Sequence, residues 1–180
     1  MRGAEAVLSF VQFLGKKMVL KDRREKPYRE KELDLKIRAG RTRREARLLH
    51  KAKQAGISAP TVYEVDEFSI IMSYIEGRRL EEEKRELEEA GRMLASLHNA
   101  GIIHGDFTPY NIVVNKKGLH AIDFGLGFFS PRIEDKADDL ITMLRGIEGK
   151  EDFLKGYCEC KDFDAVLKKK GQIEKRARYQ

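Results

Sequence analysis

The sequence reads HGDFTPYN from His104 to Asn111 and DFG from Asp123 to Gly125. The first stretch has the pattern H-x-D-x-x-x-x-N, and the second adds a further carboxylate. Phosphoryl transfer needs a carboxylate that accepts or orients the proton of the nucleophile, and oxygen ligands that hold Mg²⁺ on the nucleotide phosphates. We assign Asp106 to the first task and Asn111 and Asp123 to the second.

The chain between the two motifs predicts a β-hairpin. An apolar run at Ile112–Val114 precedes a turn signal at Asn115–Gly118, and a second run follows at Leu119–Ile122. A hairpin brings its outer ends together, so Asn111 and Asp123 are expected within reach of one metal ion. The plainer alternative, an aspartate and an asparagine in unrelated turns, would not explain why the motifs occur in this order. The order of the motifs therefore favours a protein-kinase fold.

Composition limits the class of protein. The 180 residues are enough for one domain or two small lobes, and 41% are hydrophobic while 37% are charged. No apolar run approaches a membrane span, and the N-terminus lacks a secretory apolar core, so a cytoplasmic protein without membrane contact is expected. Cys158 and Cys160 are too few for a zinc site and are expected to be reduced.

The net charge of +6 is distributed unevenly. Residues 16–54 hold 16 Lys/Arg against 6 Asp/Glu, and residues 168–180 hold 6 against 1. Residues 55–167 hold 13 against 22 and are therefore acidic. Basic ends around an acidic centre suggest a polyanion or an acidic partner, although a solvated helix face would also be charged.

The first lobe is predicted to begin with a hairpin of two apolar runs around Gly15. A phosphate-covering loop could lie at Gly3–Ala6, which has one glycine only. Lys21 ends the second run and is the candidate contact to the α/β-phosphates, with Glu45 on a helix over residues 42–55 as its ion-pair partner. Thr42 and Glu45 also fit a capping box, which leaves a second interpretation of Glu45.

Residues 22–40 are dense in charge. Pro27 and Gly40 are expected to divide them into a loop and a short helix that form an interaction surface. Two further strands are predicted at Thr61–Val65 and Phe68–Met72. The backbone of Ser73, Tyr74 and Ile75 then falls where a kinase hinge binds the adenine edge, with the Met72 side chain behind the base; an edge strand and its turn is the plainer alternative.

The second lobe is predicted to contain a helix over residues 79–99, which Gly101 ends. His98 is expected to be structural, and His104 to hold the loop backbone rather than act as a base. Nine residues separate Gly125 from Asp135, so no long activation segment fits. Asp139, on the next helix, either braces the catalytic loop or lies exposed, and one or two short helices are expected over 151–170.

The predicted fold class is therefore α+β. A single bilobal kinase-like domain would have a β-rich N-lobe over 1–75, a reduced helical C-lobe over 76–167 and a basic C-terminal tail over 168–180.

Several stretches of the sequence together resemble the kinase subunit of the KEOPS (EKC) complex, which comprises the small atypical PRPK-type kinases of archaea and eukaryotes. The resemblance covers essentially the whole chain, and the basic block is its most specific part. Its carriers are Gly3–Ala6, Val19–Arg23, Lys26–Arg29, Leu33–Asp34, Arg41–Leu49, His104–Asn111, Ile122–Leu126 and Asp135–Leu140.

The resemblance implies Ser/Thr autophosphorylation and ATPase activity in tRNA N6-threonylcarbamoyladenosine (t6A) synthesis. It implies ATP and Mg²⁺ as cofactors, and the tRNA threonylcarbamoyltransferase subunit, other KEOPS subunits and tRNA as partners. The matching positions are Lys21, Glu45, Asp106, Asn111 and Asp123. The basic N-lobe segment and the tail with Arg176 and Arg178 would then contact RNA or a partner.

Two alternatives remain open from the residues. A small-molecule phosphotransferase of the aminoglycoside or choline type also carries H-G-D and a downstream Asp, but usually needs a larger helical lobe. A nucleotide-bound, tRNA-binding scaffold without turnover would not need the complete set Asp106, Asn111 and Asp123.

Overall fold

The computed structural model describes residues 6–177. Its N-terminal lobe is a four-stranded antiparallel sheet in the order β1-β2-β4-β3, with one long helix packed on it. The elements are β1 (Val7–Phe13), β2 (Lys16–Asp22), α1 (Lys31–Gln54), β3 (Val62–Val65) and β4 (Ser69–Ser73). The predicted hairpin around Gly15 is present as β1 and β2, and the two further predicted strands are β3 and β4. The α+β kinase-like class is confirmed.

Helix α1 is one continuous helix, so the predicted break at Gly40 is wrong. A glycine costs a helix roughly 1 kcal/mol, and buried residues on both sides of Gly40, such as Ala39 and Thr42, offset that cost. The capping-box interpretation is also wrong. The Glu30 side chain caps the helix by accepting from the amides of Glu32 and Leu33, while the Thr42 hydroxyl donates to a carbonyl inside the helix.

The second lobe begins with β5 (Arg78–Arg79), which pairs with β7. Helix α2 therefore begins at Lys84 rather than at residue 79. The predicted hairpin around the turn at 115–118 is present as β7 and β8. The other elements of the lobe are α2 (Lys84–Asn99), β6 (Ile102–Ile103), a 3₁₀ turn (Pro109–Asn111), β7 (Ile112–Asn115), β8 (Gly118–Ala121), β9 (Phe128–Phe129), α3 (Ile133–Arg145), α4 (Lys150–Tyr157) and α5 (Phe163–Ala177).

Helices α2 and α4 pack closely because glycines face the contact. A Cβ at Gly156 would lie 1.8 Å from the carbonyl oxygen of Glu88, and one at Gly91 would lie 2.1 Å from that of Phe153. The core built around this contact includes Leu87, Leu94 and Tyr157, all nearly inaccessible to solvent. This packed pair supports the segment that carries the catalytic loop.

The basic segment assigned to the tail is largely helical. Helix α5 extends through the proposed boundary at residue 168 to Ala177, and Ile173 packs against the core. Arg176 is exposed, whereas Arg178 and the predicted loop residues Gly3–Glu5 lie outside the described residues. The two cysteines are free thiols. Within residues 6–177, no helix combines the length and apolar character that a membrane crossing needs.

Candidate active site

A cleft of about 380 Å³ lies between the lobes. This volume falls in the range of small-molecule sites. Most of the residues assigned to nucleotide binding line it: Lys21, Met72, Ser73, Tyr74, Ile75, Asn111 and Asp123. The fold therefore brings residues from β2, β4 and the two motifs of the C-lobe to one cavity.

Lys21 lies at the centre of an ion-pair chain across the cleft. Its Nζ donates to Glu45 Oε1 at 2.7 Å and to Asp123 Oδ1 at 2.7 Å. Lys21 and Glu45 are 6% and 1% exposed, so both charges are almost completely removed from water. The expected contact between Lys21 and Glu45 is present, and it fixes the position of the ammonium in the cleft.

A fourth charged residue, Arg23, belongs to this group. The sequence analysis missed it, because residues 22–40 were expected to form an interaction surface. Its Nη2 donates to Glu45 Oε2 at 2.5 Å, and Arg23 is 2% exposed. Asp34 is also buried, paired with Arg38 at 2.6 Å. The signal was the two-residue spacing of Lys21 and Arg23, which places both side chains on one face of an extended segment.

Asp123 has the left-handed backbone conformation, with φ of 62°. Such a conformation costs a non-glycine residue on the order of 1–3 kcal/mol and is concentrated at functional sites. Burial by itself would raise the pKa of the Asp123 carboxyl. The Lys21 ammonium and the Gly125 amide outweigh burial and hold the pKa below its ordinary value, so the carboxylate is ionised at neutral pH.

Asp106 and Asn111 are joined directly. The Asn111 amide nitrogen donates to the Asp106 carboxylate and to its backbone carbonyl, each at 2.8 Å. These bonds use both amide hydrogens and leave the Asn111 oxygen for another partner.

The oxygen donors present suit Mg²⁺. Mg²⁺ prefers oxygen ligands and is usually bound by one or two carboxylates together with substrate phosphates and water. Asn111 Oδ1 and the ionised Asp123 carboxylate supply such donors at one cleft. Among residues 6–177 no group of three or more His, Cys, Asp or Glu side chains could hold a metal, and this mode of binding does not require one.

Asp139 braces the catalytic loop from helix α3. Its carboxylate accepts from the amides of His104 at 2.6 Å and of Gly105 at 2.9 Å. Gly105 has φ of +79°, and a Cβ there would lie 2.5 Å from the Leu126 carbonyl oxygen, so glycine is required. The bracing alternative for Asp139 is the one present, and the exposed-acid alternative is wrong.

The two buried histidines beside Asp139 have different states. Burial lowers the pKa of His104, and its Nε2 contacts the Ile122 carbonyl oxygen at 3.1 Å, which identifies a neutral ring with the proton on Nε2. His98 contacts Tyr157 Oη at 2.7 Å and Asp139 at 3.3 Å. Burial alone would lower the pKa of His98, but its contacts to Asp139 and Cys160 outweigh this effect and raise it.

At the predicted hinge, one donor is already used. The Ser73 amide donates to the Thr61 carbonyl at 2.8 Å, so it is not available to a base. Tyr74 and Ile75 follow the end of β4 and line the cleft, and Met72 is 7% exposed beside them. Of the three predicted hinge residues, Tyr74 and Ile75 therefore remain as candidates to donate a backbone amide to a base.

The segment after the DFG motif is short, as the sequence indicated. Phe124 is buried against His104, with ring centroids 4.6 Å apart. Residues 126–132 lead directly into α3, and β9 within them pairs with β6. The chain provides no extended platform here for a peptide substrate.

Comparisons with known proteins agree with this geometry. The RIO domain family matches residues 7–127. The KEOPS complex subunit Bud32 of Pyrococcus abyssi is 40% identical, with 99% of this chain and 94% of the relative covered. A probable serine/threonine-protein kinase BUD32 homolog of Archaeoglobus fulgidus is 34% identical, with 98% and 94% covered.

A longer relative also matches. A probable bifunctional tRNA threonylcarbamoyladenosine biosynthesis protein of Methanothermobacter thermautotrophicus is 38% identical over 96% of this chain, which spans only 32% of that protein. Among solved structures, the Rio2 kinase-ADP/Mg²⁺-phosphoaspartate complex from Chaetomium thermophilum has a TM-score of 0.69 at 16% identity, covering 100% of this chain and 70% of the other. This structural likeness establishes the fold alone.

Fold and site thus define a bilobal protein of the protein-kinase-like class, with a RIO domain. The two relatives matched over nearly the full length of both chains identify a narrower family than this class. The chain belongs to the Bud32 family.

Proposed function

We propose that this chain is a Mg-ATP-dependent atypical serine/threonine protein kinase and ATPase, and that it acts as a KEOPS subunit in t6A modification of tRNA. The observation that carries the enzymatic part is the Lys21 ammonium, held 2.7 Å from both Glu45 and Asp123 at the phosphate end of a cleft. The relatives named as KEOPS subunit and as t6A biosynthesis protein support the cellular part.

Each residue has a role in this proposal. Lys21 binds the α/β-phosphates, and Glu45 holds its position. Asp106 accepts or orients the proton of the attacking hydroxyl or water, with its carboxylate oriented by Asn111. Asn111 and Asp123 hold Mg²⁺, which when bound neutralises charge on the phosphates.

The base end of the cleft gives ATP its orientation. The amides of Tyr74 and Ile75 hydrogen-bond the adenine edge, and Met72 packs behind the ring. The short segment after Gly125 favours ATP hydrolysis and phosphorylation of the chain or its partners over outside peptides. Helix α3 is followed only by α4 and α5 in the described residues, and the relatives' names do not favour a small-molecule acceptor.

Asp123→Asn tests the enzymatic part. Asparagine keeps the size and tolerates the left-handed backbone, so the fold should be retained. ATP hydrolysis and autophosphorylation should fall by at least roughly 1,000-fold, because the metal contributes several kcal/mol of charge stabilisation. Asp164→Asn, on the exposed start of α5, is the matched control and should keep wild-type turnover.

Equal turnover in the wild type and Asp123→Asn would contradict the proposal and favour the scaffold alternative. The KEOPS assignment has its own test. The chain should co-purify with the tRNA threonylcarbamoyltransferase subunit. It should also be required for t6A formation in a reconstituted reaction at the pH and salt concentration of cytoplasm, as measured by nucleoside mass spectrometry. Complete t6A formation without the chain would contradict it.

The basic C-terminal segment is proposed to contact RNA or a partner. Truncation at residue 172 would remove Ile173, which packs on the core, so point changes are cleaner. Lys175→Gln with Arg176→Gln, both exposed in the last turn of α5, should weaken tRNA or partner binding and leave ATP binding intact. Unchanged binding across a salt titration would contradict this role.

A further inference from the structure

A second, smaller cavity lies beside Arg23, between the end of β2 and helix α1. Six of its seven lining side chains are basic, and the seventh is Ile37. The six are Arg23, Arg24, Lys26, Arg29, Arg38 and Arg41. This cavity is separate from the nucleotide cleft, with which it shares no lining residue.

Arg23 lines this cavity, and its guanidinium has unused donors. Its Nη2 binds Glu45, but Nε and Nη1 are buried and have no hydrogen-bond partner among the described residues. A guanidinium stays protonated in proteins, so these are charged donors removed from water. An unpaired buried donor of this kind carries a net cost that a ligand can remove.

The charge around Arg23 is only partly balanced. Glu45, the carboxylate that binds Arg23, also binds Lys21, which has Asp123 as a second partner. Arg23 therefore shares its carboxylate with another buried cation. Asp34 neutralises Arg38 and lies 3.5 Å from Arg29. Lys26 and Arg41 have contacts of their own. The buried donors without a partner are those of Arg23.

We propose that this cavity is an anion site, in which Arg23 binds one oxygen of a phosphate group in the RNA backbone. This proposal rests on the proposed role of the chain in tRNA modification, and it names the residue and the chemical group that would meet in the N-lobe. Arg fits because its planar donors match phosphate oxygens in pairs. The ligand is recognised by its charge and oxygens rather than by its base sequence.

The size of the cavity favours an RNA phosphodiester. Its enclosed volume is about 10 Å³, close to that of one water molecule. One non-bridging oxygen can enter, while the rest of the phosphate stays at the mouth near the exposed Arg24. The exposed arginines further along α1, such as Arg43 and Arg44, extend the positive surface as a repeating polyanion requires.

The first test detects the anion at Arg23 directly, with inorganic phosphate as the probe. The Nε–Hε resonance of Arg23 is followed by NMR in the full chain, with a non-hydrolysable ATP analogue and Mg²⁺ saturating the nucleotide cleft. We expect a saturable shift with phosphate that chloride at equal ionic strength does not produce. Identical responses to the two anions would overturn the site.

Two variants test the role of the donors. Arg23→Lys keeps the charge but removes the planar fork, and should weaken phosphate binding at least roughly tenfold. Arg24→Gln changes the mouth of the cavity without touching Glu45 and should also weaken it. Arg43→Gln, the matched loss of charge outside the cavity, should bind phosphate as the wild type does. If Arg23→Lys does not fold, equal phosphate affinity in the Arg24 and Arg43 variants overturns the site.

The ligand class is tested with labelled single-stranded RNA and a phosphoserine peptide of similar length. RNA should bind Arg23→Lys about tenfold more weakly than Arg43→Gln, and phosphate should compete with it. Equal RNA affinity in these two variants, or preferential binding of the phosphopeptide, would overturn the assignment to RNA. ATP hydrolysis is measured separately, so failure here is distinguishable from failure of the proposed enzymatic function.

Discussion

The two lobes hold the catalytic groups by different physical means. On the N-lobe side, Lys21, Arg23 and Glu45 form a buried cluster of charges in which one carboxylate serves two cations. On the C-lobe side, Asp139 accepts two loop amides and contacts His98, which is itself bonded to Tyr157. The first group is short of partners, whereas the second is nearly complete.

The difference indicates which side can respond to a ligand. A buried ion pair recovers its desolvation cost only when its remaining donors are also satisfied. The N-lobe cluster therefore gains from any phosphate that approaches Lys21 or Arg23. A satisfied hydrogen-bond network is rigid and sets one geometry, so the C-lobe side fixes the catalytic loop whether or not a ligand is bound.

The largest expected effect comes from breaking the C-lobe network at its centre. Asp139→Ala leaves the His104 and Gly105 amides and the His98 ring without their acceptor. Each buried donor left unpaired costs about 1–3 kcal/mol, so the free energy of unfolding should fall by about 4 kcal/mol. Urea denaturation measures the change.

The neighbouring residue on α3 is the control for this prediction. Asp138 lies on the exposed face of α3, where partial burial of its carboxyl together with repulsion from Glu134 and Asp135 raises its pKa. Asp138→Asn should therefore leave stability unchanged or slightly higher. A loss in Asp139→Ala no greater than in Asp138→Asn would contradict the bracing role.

The next largest effect on stability is expected in the N-lobe cluster, where substitutions of Glu45 and of Arg23 should differ in their cost. Glu45→Gln leaves Arg23 without a carboxylate and Lys21 with Asp123 alone, and should destabilise the protein by about 3 kcal/mol. Arg23→Met should change stability by less than about 1 kcal/mol although Arg23 is equally buried, because the unpaired donors disappear with the charge. Equal losses in the two variants, measured by urea denaturation, would contradict the incomplete pairing of Arg23.

The smallest expected effect is a pH dependence carried by His98. Its pKa is raised in the folded protein, so its contribution to stability is fully present below the unfolded value and is lost as pH rises through the folded value. The groups facing it are Asp139, Tyr157 and Cys160. Compared with His98→Asn, the wild type should show its greatest advantage near pH 5.5 and its smallest at pH 8.

Urea denaturation at three pH values checks this sign. His50→Asn, on the exposed face of α1, controls for the loss of a histidine. An advantage of the wild type over His98→Asn that grows towards pH 8 would contradict the raised pKa of His98.

The fold class and most of the candidate site could be predicted because their signals are local. The hairpin from Ile112 to Ala121 follows from alternating apolar runs around a turn, and it brings Asn111 and Asp123 to one cleft. The pairing of Lys21 with Glu45 followed from the order of motifs. The roles of these residues in catalysis stay predictions until activity is measured.

The errors arose where packing outweighs local preference. Gly40 does not interrupt α1, because the residues around it are buried against the lobe, and α2 begins later because Arg78 and Arg79 pair with β7. Charge density suggested an interaction surface for residues 22–40. Arg23 can be buried because it pairs with Glu45, which is 22 positions away in the sequence. Asp34 can be buried because it pairs with Arg38, one helical turn further along α1.

By itself, the sequence determined the kinase-like class, the main hairpins and seven of the residues that line the cleft, because short motifs specify local backbone and donor chemistry. Only the tertiary structure decided which charges are buried, which donors of Arg23 lack a partner and which histidine side chain contacts the Asp139 carboxylate. His98 and Tyr157 are 59 positions apart, and Lys21 and Asp123 are 102 apart. Contacts over such separations depend on how helices and sheets pack, which no local pattern encodes.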